Sequence, residues 1–310
     1  MATATRSMRD AFREAILEIA RERDEVFILT ADMGSTFGFA AIKEELGIRA
    51  IDAGIAEANM VGIAAGLARS GKIPVCFTFA FLLSMRALEQ IRTDICYPDS
   101  NVKLFGYCGG LASGVLGNTH NAIEDIGIFK SLPNMTVVCP ADARDTEKAT
   151  RALMAKNGPA YIRMGRKDEP LLGVAPYEFT IGKAAMLRQG TDLTLIATGL
   201  MVKEALEAAE ILAGKSIETR VLNMHTVKPL DEEAIRQAAR ETGGILTIEE
   251  HNLWGGMGES VAAIAATECL APVRRIGIPD EFAVIGQQLD LWDRYGLNAA
   301  GIAATAQQML

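Results

Sequence analysis

Residues 52–68 read Asp52-Ala-Gly-Ile-Ala-Glu-Ala-Asn-Met-Val-Gly-Ile-Ala-Ala-Gly-Leu-Ala68, and the spacing predicts a helix over 57–69, following a short strand over 49–52. Apart from Glu57 at its start, that helix is apolar and built of small residues, as for a helix meant to be buried. An unpaired buried charge costs several kcal/mol, about what a whole domain has to spare. Glu57 therefore either faces solvent in the first turn, where it favours the helix dipole, or is buried and must find a partner.

Outward from this joint the same alternation continues in both directions. Nearly continuous apolar runs at 26–30, 74–79, 102–107, 136–139 and 160–164 predict strands covered on both faces. Helical stretches fall at 8–21, 83–95, 121–130 and 146–154. Residues 165–180 break the pattern with Pro170, Gly173 and Pro176. Strands at 193–197, 219–223, 244–249 and 273–277 then alternate with helices at 202–213, 231–239 and 258–267. The fold class is α/β with two doubly wound domains, over 1–170 and 185–310, joined by a linker over 171–184. The cluster Trp254-Gly-Gly-Met-Gly258 lacks the spacing of a phosphate loop and reads as a tight strand-to-helix turn.

The chain of 310 residues, 49 % hydrophobic, is long enough for two cores, and its net charge of −8 argues against nucleic-acid or anionic-membrane partners. Cys76, Cys96, Cys108, Cys139 and Cys269 have no CxxC spacing and read as free thiols in a reducing cytoplasm. No apolar run reaches the ~18 residues of a membrane span.

Gly54-Ile-Ala-Glu57, followed by Asn59-Met-Val-Gly-Ile-Ala-Ala-Gly-Leu-Ala68, resembles the pyrimidine-binding domain of transketolases. Val221-Leu-Asn-Met-His-Thr-Val-Lys-Pro-Leu-Asp231 and Glu249-Glu-His-Asn-Leu-Trp-Gly-Gly-Met-Gly258 are similar to their C-terminal domain. The resemblance implies that Glu57 hydrogen-bonds the aminopyrimidine of thiamine diphosphate. It further implies that His120, in Gly117-Asn-Thr-His-Asn121, lies beside the reactive carbon and the sugar hydroxyls. On its own residues, His120 is either a bystander or a ligand-facing group of a loop after a sheet strand. His225 and His251 read as structural.

The segment Thr78-Phe-Ala-Phe-Leu-Leu-Ser-Met-Arg86 stands where transketolases line the pyrimidine pocket with aromatics. Phe79 matches the first. Leu82 and Met85 replace the others, with Phe81 a substitute if the loop shifts, and plain core packing would suit the same residues. The resemblance places Arg6 and Arg166 at phosphate-binding arginines, and Ser35 and Thr36 at a phosphate-contacting hydroxyl. Two departures weaken that pattern: Cys108 replaces a phosphate-binding His, and Leu116 replaces the Asp that reads a sugar hydroxyl. They imply a substrate other than the usual pentose or hexose phosphate, for instance a branched, deoxygenated or sulfonated one.

The Gly-Asp-Gly that holds Mg²⁺ and the diphosphate in this family does not occur in the sequence. The resemblance thus implies a split transketolase: a partner subunit supplies the diphosphate domain and holds Mg²⁺, the active site lies between the chains, and the assembly is α2β2. Such a pair would transfer a two-carbon ketol unit from a ketose to an aldose. The competing readings are the β subunit of a 2-oxo acid dehydrogenase, a fragment of a deoxyxylulose-phosphate synthase, and a non-catalytic α/β partner. The Gly-x-Thr-His loop and the paired arginines favour the transketolase.

Overall fold

In the computed structural model, which describes residues 4–268 and 271–310, two largely parallel sheets carry the chain. Cys269 lies outside the described residues; the other four cysteines are buried and free. The first sheet has seven strands, in the order Thr226–Lys228, Thr136–Val138, Ala160–Arg163, Lys103–Tyr107, Ile73–Phe79, Val26–Thr30, Ala50–Asp52. All are parallel except Thr226–Lys228, which runs antiparallel to Thr136–Val138 and stitches the second half of the chain onto the first sheet. The second sheet runs Val273–Ile278, Ile245–Asn252, Leu193–Ala197, Thr219–Asn223, Ala185–Arg188, with only the last antiparallel.

The expected strands form because their apolar runs are covered on both faces. Against one face of the first sheet the Met8–Glu22 helix packs Phe12 onto Phe105 at 3.8 Å between ring centres, and Phe37 meets Phe77 at 4.0 Å. That helix starts where Ser7 Oγ accepts from the amide of Asp10, which satisfies one of the donors a helix start leaves open.

Several expectations are corrected. The helix expected over 83–95 is three short pieces, Leu82–Arg86, Leu88–Gln90 and Ile91–Cys96, the first and last being wide π turns. Inserting a residue into a helical turn re-aims the side chains that follow, and such turns are frequent at functional sites. The helix expected over 121–130 begins only at Asp125, because the preceding loop is closed by a bridge between Gly110 and Ala122. Within the stretch read as a break, Asp168–Pro170 pairs antiparallel with Thr5–Ser7. The three-residue strands are too short to leave a periodic signature. Glu57–Arg69 is also not wholly buried: Gly62 and Gly66 face outward, and a Cβ built on either would meet nothing within 4 Å.

The strand ends fix the place of the site. Residues 52–57, 79–86, 107–120, 163–166 and 31–36 all follow the carboxyl ends of neighbouring parallel strands, the edge at which open α/β sheets bind ligands. Among the described residues no helix is long and apolar enough to cross a membrane.

Candidate active site

At the end of Ala50–Asp52 the chain turns through Gly54, at φ +69°, before the Glu57–Arg69 helix. Asp52 Oδ1 accepts from the amides of Gly54 (2.9 Å) and Asp32 (3.0 Å), which ties this turn to the loop after Val26–Thr30. The rigid turn delivers Glu57 inward, where it is 1 % exposed. Its partner is Arg86, whose Nη1 donates to Glu57 Oε2 at 2.9 Å from a half-exposed side chain. Burial with a partner is one of the two alternatives that the sequence left open for this carboxylate. Arg86 itself carries no local signal of that role, because only the wide turn Leu82–Arg86 brings it back over the helix start.

The rings gather next to one another. Phe81 lies 5.0 Å and Phe79 6.4 Å from the His120 imidazole, and Phe79 also meets Phe81 (5.5 Å) and Tyr107 (5.9 Å). His120 is partly exposed, with Nδ1 2.9 Å from Thr119 Oγ1 and its amide donating to Gly117 O at 2.9 Å. That contact engages Nδ1, so Nε2 is the nitrogen left for a ligand. Leu82 is partly buried, and Met85 is exposed at the rim. His251 and His225 are both fully buried: His251 Nε2 accepts from the Gly127 amide, and His225 stacks on Phe179 at 3.9 Å.

An electropositive corner forms at the end of Lys103–Tyr107. Tyr107 donates its hydroxyl to Arg166 O at 3.0 Å. Burial pushes its phenol up to about 12, while the charges of Arg9 and Arg166 oppose the rise. Cys108, buried and at φ +59°, has its thiol pushed up to about 11 by burial; the nearby Ser113 side chain and the charges of Arg166 and Arg9 pull the other way. Arg9, whose Nε also pairs with Asp10 Oδ1 at 3.2 Å, acts on this corner as Arg166 does. Arg6 pairs with Glu14 at 2.5 Å and Glu147 at 3.6 Å. Ser7, a helix-capping residue type, is the signal that the chain changes direction between the two arginines. Ser35 and Thr36 sit on the short Gly34–Phe37 helix, and Leu116 is exposed on the His120 loop. Among the described residues no group of three or more His, Cys, Asp or Glu is arranged to hold a metal ion.

A parallel sheet whose strand ends present a buried carboxylate, an aromatic wall and arginines has the layout at which α/β proteins bind ligands. The family described as transketolase, pyrimidine binding domain matches residues 4–170, and that described as transketolase, C-terminal domain matches residues 182–302. The chain belongs to the transketolase family. It is 41 % identical over 312 residues to one of the subunits of the apulose-4-phosphate transketolase of Phocaeicola vulgatus, covering 100 % of this chain and 99 % of that protein. It is 40 % identical over 302 residues to the 6-deoxy-6-sulfo-D-fructose transketolase subunit SqwH of Clostridium sp. (strain MSTE9), covering 97 % and 94 %. Among solved structures, a split-gene transketolase in an inactive β4 tetramer superimposes with a TM-score of 0.88 at 38 % identity, covering 99 % of each chain.

Proposed function

We propose that this chain is one subunit of a thiamine diphosphate-dependent transketolase that moves a two-carbon ketol unit from a ketose to an aldose. The observation that carries the reading is Glu57, a buried carboxylate whose cationic partner is half-exposed and so displaceable. Such a carboxylate beside a loop of rings fits a flat, nitrogen-bearing aminopyrimidine, which Glu57 would hold by a hydrogen bond and which Phe79, Phe81, Leu82 and Met85 would flank. The bound cofactor supplies the electron sink for breaking the carbon–carbon bond next to the ketose carbonyl. Glu57 would hold the ring nitrogen, and His120 Nε2 would orient substrate hydroxyls or pass a proton. Arg9 and Arg166 receive an anionic group on the substrate, bounded by Cys108, Ser35 and Thr36.

The diphosphate and Mg²⁺ belong to a partner subunit, with an α2β2 assembly in the cytoplasm and domains over 1–170 and 185–310. Two relatives matched over nearly their whole lengths are named as subunits, and the outward Gly62 and Gly66 leave an open face beside the site for a second chain. Exposed Leu116 removes a carboxylate from the sugar-reading loop, which favours a ketose other than the common phosphates, of the kind the relatives' names describe. The test is reconstitution: the chain mixed with its diphosphate-bearing partner, thiamine diphosphate and Mg²⁺ is expected to transfer a ketol unit, and each subunit alone to be inactive. Full activity of this chain by itself would refute the shared site.

A further inference from the structure

We infer that Glu250, in the second domain, is a positioning residue that sets the place of His120 through a relay of turns. The inference rests on the reading of His120 given above. Glu250 is buried on the Ile245–Asn252 strand, and its Oε1 accepts three N–H groups: Trp292 Nε1 at 2.6 Å, Gln288 Nε2 at 2.9 Å and the Leu111 amide at 3.2 Å. The first two fix the carboxylate within its own domain; the third reaches into the loop that carries His120. From Leu111 the loop proceeds in steps of three, each closed by a backbone bond. Gly114 N donates to Leu111 O (2.8 Å), Gly117 N to Gly114 O (3.1 Å) and His120 N to Gly117 O (2.9 Å).

Each amide in this series is fixed by the carbonyl three residues before it, so displacement of Leu111 is passed to His120. The far end of the loop answers to the same residue. Arg163 Nη2 donates both to Glu250 O (2.7 Å) and to Ala122 O (3.0 Å), and Ala122 and Gly110 exchange two bonds of 2.9 Å that close the loop. Glu250 thus grips one end of the loop with its side chain and the other, through Arg163, with its carbonyl. Loop and carboxylate are in close contact at this junction: a Cβ on Gly110 would collide with Glu250 Oε2. Catalytic groups need placement on the ångström scale, and misplacement by about 1 Å costs on the order of 100-fold in rate. The second domain, on this view, sets the catalytic loop.

The experiment uses the full chain with Glu250→Ala, and Trp292→Phe as a milder variant that removes one donor but keeps the charge. Hydrogen exchange is read at the amides of Gly114, Gly117 and His120, with those of Leu104 and Phe105 in the first sheet as controls. Glu250→Ala is expected to raise exchange at the three loop amides about tenfold or more, and Trp292→Phe about threefold, with the controls unchanged. Unchanged loop amides in either folded variant, or an equal rise at the controls, would overturn the inference. In the reconstituted enzyme, with hydroxypyruvate as donor probe and glycolaldehyde as acceptor, Glu250→Ala is expected to lower kcat/KM about 10–100-fold. The His120→Ala/Glu250→Ala double variant should then be no worse than His120→Ala. Losses that multiply would overturn it too. Normal turnover by His120→Ala would instead overturn the reading of His120, and amide exchange then judges the tether by itself.

Discussion

Arg86 Nη1 meets Glu57 Oε2 at 2.9 Å, with an arginine side chain 52 % exposed and a carboxylate 2 % exposed. The pair is asymmetric, so its two members predict different phenotypes. Glu57→Gln keeps the volume and removes the charge; it should leave the fold intact and lower turnover of the reconstituted enzyme by about 100-fold or more, the scale of losing an electrostatic contact to the reacting group. Arg86→Ala strands a buried carboxylate. Its cost to the isolated chain should be about 1–2 kcal/mol, below that of a fully buried pair because water already screens the guanidinium. Urea midpoints read the second effect, and an unchanged midpoint would show that Arg86 is not the stabilising partner of Glu57.

Arg6 and Arg9 both pair with carboxylates, Arg6 with Glu14 and Arg9 with Asp10, contacts worth about 0–1 kcal/mol each. Arg9 also acts on Tyr107 and Cys108 together with Arg166. Arg9→Leu should raise KM for an anionic ketose about tenfold or more while leaving an uncharged ketose donor little changed. Arg6→Leu should alter neither by more than about twofold. The reverse pattern would return the anion to Arg6.

Leu116 offers a gain of function. It is 51 % exposed on the His120 loop, so Leu116→Asp should change stability by under about 0.5 kcal/mol. By restoring an acceptor for a sugar hydroxyl, the variant should improve kcat/KM for ordinary hydroxylated ketose phosphates about tenfold relative to its native donor. Steady-state competition between two donors measures this ratio directly, and an unchanged ratio would remove Leu116 from the residues that set specificity.

The sequence carries the parts of this fold whose signal is local and repeated. The strand expected over 26–30 is found at Val26–Thr30, and that over 193–197 at Leu193–Ala197, because continuous apolar runs have one stable use in a parallel sheet. The alternatives for Glu57 followed from a charge on an apolar helix, and burial with a partner is the one realised. What stays hidden depends on non-local geometry: Thr226–Lys228 completes a sheet whose other strands lie far earlier in the chain, and Arg86 reaches Glu57 only through a widened turn. Helices at Gln288–Tyr295 and Ala299–Gln307 are also absent from the sequence-based expectations; Gln288 and Trp292 on the first hold Glu250.

His225 makes the chain sensitive to acid. Burial pushes its imidazole down to about 4, with the Lys148 charge adding to the fall and Asp231 opposing it. The unfolded ring takes a proton near pH 6.5, whereas the folded ring stays neutral, so stability is complete above that value and drains away as pH falls toward 4. Between pH 7.5 and 5 the loss should be about 2 kcal/mol. His225→Gln, measured by urea unfolding at both values, should abolish most of that difference. An undiminished slope would assign the acid sensitivity elsewhere, for instance to the buried carboxylates.

Gly62 tests where the second chain sits, because stability and assembly should move in opposite directions. The residue lies inside the Glu57–Arg69 helix with open space beyond it, and glycine there costs about 0.8–1 kcal/mol relative to alanine. Gly62→Ala and Gly62→Arg should both raise the melting temperature of the isolated chain, since neither side chain meets a neighbour. If the diphosphate-bearing subunit packs on this face, the arginine variant should fail to form the mixed complex in sedimentation, while the alanine variant assembles with reduced affinity. Wild-type sedimentation and turnover by Gly62→Arg would place the partner on another face and leave the glycine explained by neither packing nor stability.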